Sequence, residues 1–233
     1  MKSVILYSGG KDSTMAVYES LKNNDEIYCL LSVKSRNKDS YMFHVPDIHM
    51  VEYCAEAMEL PTIDIITDGI KEEELDDLEN ILTRLKSKGV EAVYTGAIES
   101  TYQRSRVDNI CKNLEMKSFS PLWHRNPVEY MRELVDLGFE IILTSVSAYG
   151  LTKDWLGRTI DHNMIDELIE LNEKYGVHPA FEGGEAETLV LDAPMYDQKI
   201  VIDDAEIEWA VDSGIYNITK AHLEEKYDYS LDE

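Results

Sequence analysis

Cysteine is scarce in this sequence, and its spacing excludes two classes of protein. The three cysteines stand alone, at Cys29, Cys54 and Cys111, with no C-x-x-C pair among 233 residues. This pattern lacks both the disulfide framework of small secreted proteins and the paired ligands of a zinc site. The six histidines show no H-E-x-x-H spacing either. We therefore expect a cytoplasmic protein whose cysteines fill the core.

Basic residues and long apolar runs are also few. Lys and Arg number 22 against 46 Asp and Glu, for a formal net charge of −24 at pH 7. So acidic a surface does not attract the phosphate backbone of nucleic acids, and no nucleic-acid partner is expected. No basic segment precedes a long apolar run, so neither a secretory signal nor a membrane span is predicted. We interpret most of the acidic excess as a solubilising surface.

The sequence S-G-G-K-D-S at residues 8–13 follows the apolar run at 4–7 and precedes a helical pattern. This order predicts strand, tight turn and helix. Paired glycines allow positive φ and let successive amide N–H groups approach a ligand, toward which the helix directs its positive dipole end. The spacing matches neither G-x-x-x-x-G-K-[ST] nor G-x-G-x-x-G, so the two commonest phosphate loops are excluded. The stretch predicts a phosphate-binding turn of another type.

Strand and helix patterns alternate along the first 120 residues. Strands are expected at 27–33, 62–67 and 92–94, and helices at 47–60 and 75–88. A further helix, with its apolar side at 107–114, is expected after the segment 97–106. Alternation of this kind is typical of a parallel sheet, which binds ligands beyond the carboxyl ends of its strands. Residues 8–13, the polar loop at 34–46 and the segment 95–97 would meet there. The order therefore predicts a nucleotide cleft.

A change of pattern at Pro121-Leu122-Trp123 predicts a domain boundary. The expected fold class is α/β, with a parallel-sheet nucleotide-binding domain at 1–120 and a smaller α+β domain at 121–233. The second domain would contain a helix around 128–135, a strand at 139–146, a helix at 161–175 and two or more strands, around 189–191 and 199–202.

The S-G-G-K-D-S loop resembles the signature loop of the ATP pyrophosphatases, adenylating enzymes of the adenine nucleotide alpha-hydrolase superfamily. Over nearly the whole chain, the sequence is similar to the diphthine ammonia ligases, also called diphthamide synthases. The segments that carry this resemblance are S-G-G-K-D-S at 8–13, Y-M-F-H at 41–44, residues 96–106, P-L-W at 121–123, G-L at 150–151, L-G-R at 156–158 and E-G-G-E-A-E-T at 182–188.

The resemblance implies the last step of diphthamide formation on translation elongation factor 2. The carboxylate of diphthine would attack the α-phosphate of ATP, giving an acyl-adenylate and pyrophosphate, and ammonia would then displace AMP. The implied cofactors are ATP and Mg²⁺. The implied partners are elongation factor 2 bearing diphthine, and ammonium. The oligomeric state stays open, with a homodimer as one alternative.

The resemblance also implies roles for single residues. Lys11 and the loop amides would hold the pyrophosphate portion, and Arg104 would clamp phosphate with its planar guanidinium. The implied catalytic residues are Lys11, Asp12, Arg104, Glu185 and Glu187, with Asp12 also the metal ligand. The implied nucleotide-binding residues are Ser8, Gly9, Gly10, Lys11, Asp12, Ser13, Ser32, Val33, His44, Gly96, Gln103 and Arg104.

Three carboxylates, Glu182, Glu185 and Glu187, are expected at the substrate end of the cleft. Within six residues they would repel one another unless a cation were present. That cation could be the trimethylammonium group of diphthine, held together with aromatic faces from Tyr102, Trp123 and Phe181, or it could be Mg²⁺. A solvent-exposed glycine turn is the remaining interpretation.

Two other functions stay open. Another adenylating enzyme of the superfamily, such as a tRNA thiolase, would usually need paired catalytic cysteines and a basic RNA-binding surface. A non-catalytic nucleotide-binding module would generally lack the intact S-G-G-K-D-S loop.

Overall fold

The computed structural model describes residues 1–35, 49–67 and 73–226. Its first half is a parallel sheet with the strands β1 Lys2–Leu6, β2 Glu26–Ser35, β3 Thr62–Thr67, β4 Ala92–Tyr94 and β5 Lys117–Phe119. The helices that alternate with them are α1 Lys11–Lys22, α2 Met50–Ala57, α3 Glu73–Lys86 and α4 Thr101–Asn113. The strand order is β3-β2-β1-β4-β5. Strands β2 and β3 therefore lie on one side of β1, strands β4 and β5 lie on the other, and the order reverses between β1 and β4. Ligands of open parallel sheets bind at such a switch point.

The second half forms a four-stranded antiparallel sheet in the order β7-β6-β9-β8. Its elements are α5 Pro127–Asp136, β6 Glu140–Val146, a short 3-10 helix Lys153–Trp155, α6 His162–Tyr175, β7 Ala186–Asp192, β8 Gln198–Ala210 and β9 Ser213–Glu225. The two sheets together confirm the predicted fold class.

Both halves of the chain contribute to one hydrophobic core. Ile5 and Leu30 of the parallel sheet, Met15 of α1, and Leu189 and Val190 of β7 belong to the same buried cluster. A second core covers the opposite face of the parallel sheet. The division at residues 120 and 121 stays a prediction, and the two halves pack as neighbours around the shared core.

Helix starts agree with the capping residues in the sequence. Asn126 accepts the N–H groups of Val128 and Glu129 at the start of α5, and Asp161 accepts that of Met164 at the start of α6. The three cysteines are buried, as expected. Across the described ranges, no helix has the length and apolar character needed to cross a bilayer.

Candidate nucleotide site

The S-G-G-K-D-S loop makes the turn from β1 into α1. Gly9 has a φ of +83°, in the left-handed region that glycine adopts without a steric cost. The Ser13 hydroxyl closes the turn, because its Oγ accepts the N–H of Ser8 at 3.2 Å and donates to the carbonyl of Gly10 at 3.1 Å. Among the described residues, neither Gly9 nor Gly10 donates its amide N–H to another group. These amides at a helix N-terminus suit an anionic ligand.

Gly96 brings the end of β4 against this loop. A Cβ built on Gly96 would lie 2.6 Å from the carbonyl carbon of Asp12 and 2.8 Å from the amide nitrogen of Ser13. Backbone therefore packs directly on backbone, which only glycine allows. The expectation that these two strand ends meet is confirmed.

Lys11 and Asp12 form an ion pair at the start of α1. Lys11 is 3% exposed, and its Nζ lies 2.9 Å from Asp12 Oδ2. The hydroxyl of Tyr130, on α5, donates to the other carboxylate oxygen, Oδ1, at 2.8 Å. Lys11 Nζ also lies 5.8 Å from the ring centroid of Phe181. The loop thus receives two groups from the second half of the chain.

Strand β7 runs alongside the loop. The N–H of Lys11 donates to Thr188 Oγ1 at 3.2 Å, and the N–H of Val190 donates to the carbonyl of Gly9 at 3.0 Å. The segment E-G-G-E-A-E-T leads into this strand, so its carboxylates approach the charges of the loop. The second sheet therefore forms one wall of the site.

Glu182 and Glu187 have strongly perturbed pKa values. Burial raises the pKa of Glu182 to about 7, and the charge of Asp12 adds to this effect while Lys11 opposes it. Burial likewise raises the pKa of Glu187 to about 7, against the influence of Lys11 and with a contribution from Asp12. Carboxyls that titrate near neutral pH in a cleft are typical of functional sites.

Glu185 has a different environment from its two neighbours. Its Oε1 accepts the N–H of His178 at 2.9 Å, and its Oε2 accepts the N–H of Gly183 at 2.8 Å. His178 in turn accepts the N–H groups of Ala180 and Glu182 through Nδ1. Both residues hold the turn that carries Glu182. Their sequence positions give no sign of this role, since it depends on backbone geometry.

The predicted phosphate clamp lies on α4. The guanidinium carbon of Arg104 is 4.3 Å from the ring centroid of Trp123, and its Nε is 3.4 Å from Asp108. The guanidinium carbon of Arg106 is 3.4 Å from the ring centroid of Tyr102. The aromatic faces predicted for a trimethylammonium group are thus already in contact with cations of this chain.

Two family models match the chain. One is the diphthamide synthase N-terminal domain, over residues 1–118, and the other is the diphthamide synthase C-terminal domain, over residues 126–223. The chain belongs to the diphthamide synthase family.

Curated relatives agree with this membership. A mouse protein named diphthine–ammonia ligase is 36% identical over 251 residues, which cover 97% of this chain and 94% of the mouse protein. A fission yeast protein of the same name is 36% identical over 224 residues, covering 89% of this chain and 37% of the longer yeast protein. A solved structure titled as a predicted subunit of tRNA methyltransferase from Methanocaldococcus jannaschii aligns with a TM-score of 0.42 and 17% identity, covering 83% of this chain and 97% of that one.

Three further residues predicted to bind nucleotide lie within the described ranges, two of them in β2 and one in α4. Ser32 is fully buried in β2, and its hydroxyl has no hydrogen-bond partner within the described ranges. Val33 faces the core on the opposite side of the sheet, so it offers only its main chain there. The backbone N–H of Gln103 donates to the Oγ of Ser100, the N-terminal capping residue of α4, at 3.3 Å. His44 lies outside the described residues.

The donor set suits Mg²⁺ carried by a nucleotide. The described residues contain no group of three or more His, Cys, Asp or Glu side chains placed to hold a metal ion by themselves. Mg²⁺ is usually bound by one or two carboxylates together with substrate phosphates. A single loop carboxylate, Asp12, at the turn predicted to bind phosphate fits that pattern.

Proposed function

We propose that this chain is an ATP-dependent diphthine–ammonia ligase. It converts the diphthine carboxylate of translation elongation factor 2 into an amide through an acyl-adenylate, with release of pyrophosphate and AMP. The observation that carries this proposal is the meeting of the intact S-G-G-K-D-S loop with β7, which follows the E-G-G-E segment. Family membership supports the same reaction.

The phosphate end of the site follows from the loop. Lys11 and the amides of Gly9 and Gly10 would bind the pyrophosphate portion, and Ser8 and Ser13 would add hydroxyl contacts. Asp12 would hold Mg²⁺, which supplies positive charge against the phosphates. Catalysis then consists of positioning and charge stabilisation, and no covalent enzyme intermediate is required.

The nucleotide and acyl ends are assigned by position. Adenine would lie near Ser32 and the main chain of Val33, and His44 and Gly96 would also take part in nucleotide binding. Arg104, with Gln103 beside it, would contact the phosphate or the adenylate. Here Arg104 would act from its stacked position on Trp123.

The substrate end would be formed by the E-G-G-E-A-E-T segment. Glu187 and Glu182 would receive a cation, either the trimethylammonium group of diphthine or Mg²⁺. Glu185 would act through the turn it supports. Ammonium is the proposed nitrogen source, and the buried free cysteines suit the cytoplasm as the place of action.

Pyrophosphate and AMP release tests the proposal. The chain would be incubated with ATP, Mg²⁺ and ammonium, with or without elongation factor 2 bearing diphthine. Release of pyrophosphate and AMP should require the modified factor. The mass of that factor should change by the difference between a carboxylic acid and an amide. Lys11→Ala should abolish release, whereas Lys22→Ala, in the last turn of the same helix, should not. Nucleotide binding without release would instead indicate a non-catalytic module.

A further inference from the structure

Tyr130 reaches the loop from α5, which lies in the second half of the chain. Its side chain is 1% exposed, and its hydroxyl donates to Asp12 Oδ1 at 2.8 Å. The other oxygen of the same carboxylate, Oδ2, lies 2.9 Å from Lys11 Nζ. The two oxygens of Asp12 therefore have different partners, and these partners come from different halves of the chain.

A buried phenol is a suitable group for holding a carboxylate in one orientation. The terminal torsion of aspartate is broad, so a carboxylate without a fixed donor can rotate and exchange its oxygens. Hydrogen bonds from a donor to an ionised carboxylate are short and comparatively strong. A phenol ring enclosed by the core holds its hydroxyl in a narrow range of positions, which restricts this rotation.

The position of α5 relative to α1 is itself fixed by Arg125. This residue donates through Nη2 to Glu19, on α1, and through Nη1 to Glu133, on α5, the latter at 2.8 Å. Asp12 and Glu19 belong to the same helix. Arg125 thus holds the helix that carries the donor against the helix that carries the acceptor.

We propose that Tyr130 is a positioning residue that holds Oδ1 of Asp12, so that Oδ2 is the oxygen presented to Lys11 and to the Mg²⁺ that accompanies ATP. The inference rests on the proposed function, which places Mg²⁺ and the phosphates at this loop. It assigns to the second half of the chain a part in organising the metal site of the first half.

Nucleotide binding at several Mg²⁺ concentrations tests this role. Binding of α,β-methylene ATP, which cannot be cleaved at the reactive bond, would be measured by calorimetry with the full chain. Tyr130→Phe removes one hydroxyl, so it should raise the Mg²⁺ concentration needed for half-maximal affinity about tenfold. Affinity at saturating Mg²⁺ should change far less, because the phosphate contacts of Lys11 and the loop amides remain.

Tyr94→Phe is a matched control. Tyr94 is also 1% exposed, and its hydroxyl donates to another carboxylate, Asp25, at 2.7 Å. This variant loses a similar buried bond, but its Mg²⁺ dependence should be that of the natural chain. An equal shift in both variants, or no shift in Tyr130→Phe, overturns the proposal.

Asp12→Asn tests whether Tyr130 acts through Asp12. In that background, Tyr130→Phe should cause no further change in Mg²⁺ dependence, whereas a persisting tenfold effect contradicts the inference.

If Tyr130→Phe does not fold, 3-fluorotyrosine at this position keeps the hydroxyl. Its ¹⁹F resonance should then move when Mg²⁺ is added to the nucleotide complex, and an unmoved resonance contradicts the role. Failure of the natural chain to bind the nucleotide would instead count against the proposed function.

Discussion

At the scale of single residues, Gly96 shows how an absent side chain positions the loop. Gly96→Ala would place its Cβ 2.6 Å from the backbone of Asp12. Since backbone atoms must move apart, we expect nucleotide affinity to fall at least about tenfold and stability to fall by about 1–3 kcal/mol. Calorimetric nucleotide titration and thermal unfolding measure the two effects.

Gly138→Ala is the control for the effects of replacing any glycine by alanine. Gly138 has a φ of +84°, but its added Cβ would meet no atom within 4 Å. It should cost stability through backbone strain, about 1–2 kcal/mol, with nucleotide affinity unchanged. Equal losses of affinity in both variants would show that Gly96 has no special contact with the loop.

Arg104 is the second residue whose role depends on geometry. Arg104→Lys keeps the positive charge but loses the planar group that stacks on Trp123. Because a lysine cannot present two parallel donors to one phosphate, we expect pyrophosphate release to slow about tenfold or more. Single-turnover kinetics would measure this rate, with Arg132→Lys as the control, because Arg132 is paired with Asp166 of α6. Unchanged turnover would leave Arg104 as a surface residue.

Tyr130 illustrates a role in the site that the residue type and its place in the sequence do not reveal. Tyr130 lies in α5, where one more buried aromatic side chain on an amphipathic helix looks like ordinary core. Its contact with Asp12 spans 118 positions of sequence, so local pattern carries no sign of it. By contrast, the turn that contains Gly9, Gly10 and Lys11 is predictable, because its geometry is set by neighbouring residues in the sequence.

At the scale of elements, β7 brings a buried titratable carboxyl, that of Glu187, to the site. Glu187 has a pKa of about 7 in the folded chain, against an ordinary value of 4.5. Between these values the folded chain holds a proton that the unfolded chain releases, so Glu187 lowers stability progressively as pH rises from about 4.5 through 7.

Replacing Glu187 by Gln should remove this pH dependence. We expect the free energy of unfolding of Glu187→Gln to exceed that of the natural chain by roughly 1–2 kcal/mol at pH 8, and the difference to shrink toward pH 4.5. Urea denaturation across this pH range would measure it. Glu208→Gln, at an exposed position of β8, is the control for the chemical change itself. A pH-independent difference for Glu187→Gln would contradict the assigned titration.

The elements that sequence predicts are those with strong periodicity. Strand β3 has the predicted bounds, Thr62–Thr67, and the Leu pattern of α3 gives the helix Glu73–Lys86. The sequence does not predict strand β5, because its three residues, K-S-F, show no apolar run and pair only at the sheet edge. Strand β8 extends to Ala210, well past the predicted 202, because hairpin pairing with β9 supports a polar, acidic stretch.

At the scale of the whole molecule, the shared core implies that the two halves unfold together. All three tryptophans lie in the second half, at Trp123, Trp155 and Trp209, so their fluorescence reports on that half, while far-UV circular dichroism reports on both. Since the core is continuous from β1 to β7, we expect the two signals to give one coincident urea transition.

The variant Ile5→Ala gives a stricter test of whether the two halves unfold together. Ile5 lies on the central strand of the parallel sheet and is fully buried in the shared core. Its truncation should destabilise the chain by about 2–4 kcal/mol. The tryptophan transition should move by as much as the circular dichroism transition, although the tryptophans belong to the other half. If only the circular dichroism transition moved, the two halves would unfold independently. The contact between Tyr130 and Asp12 would then form only while the interface between the halves stays intact.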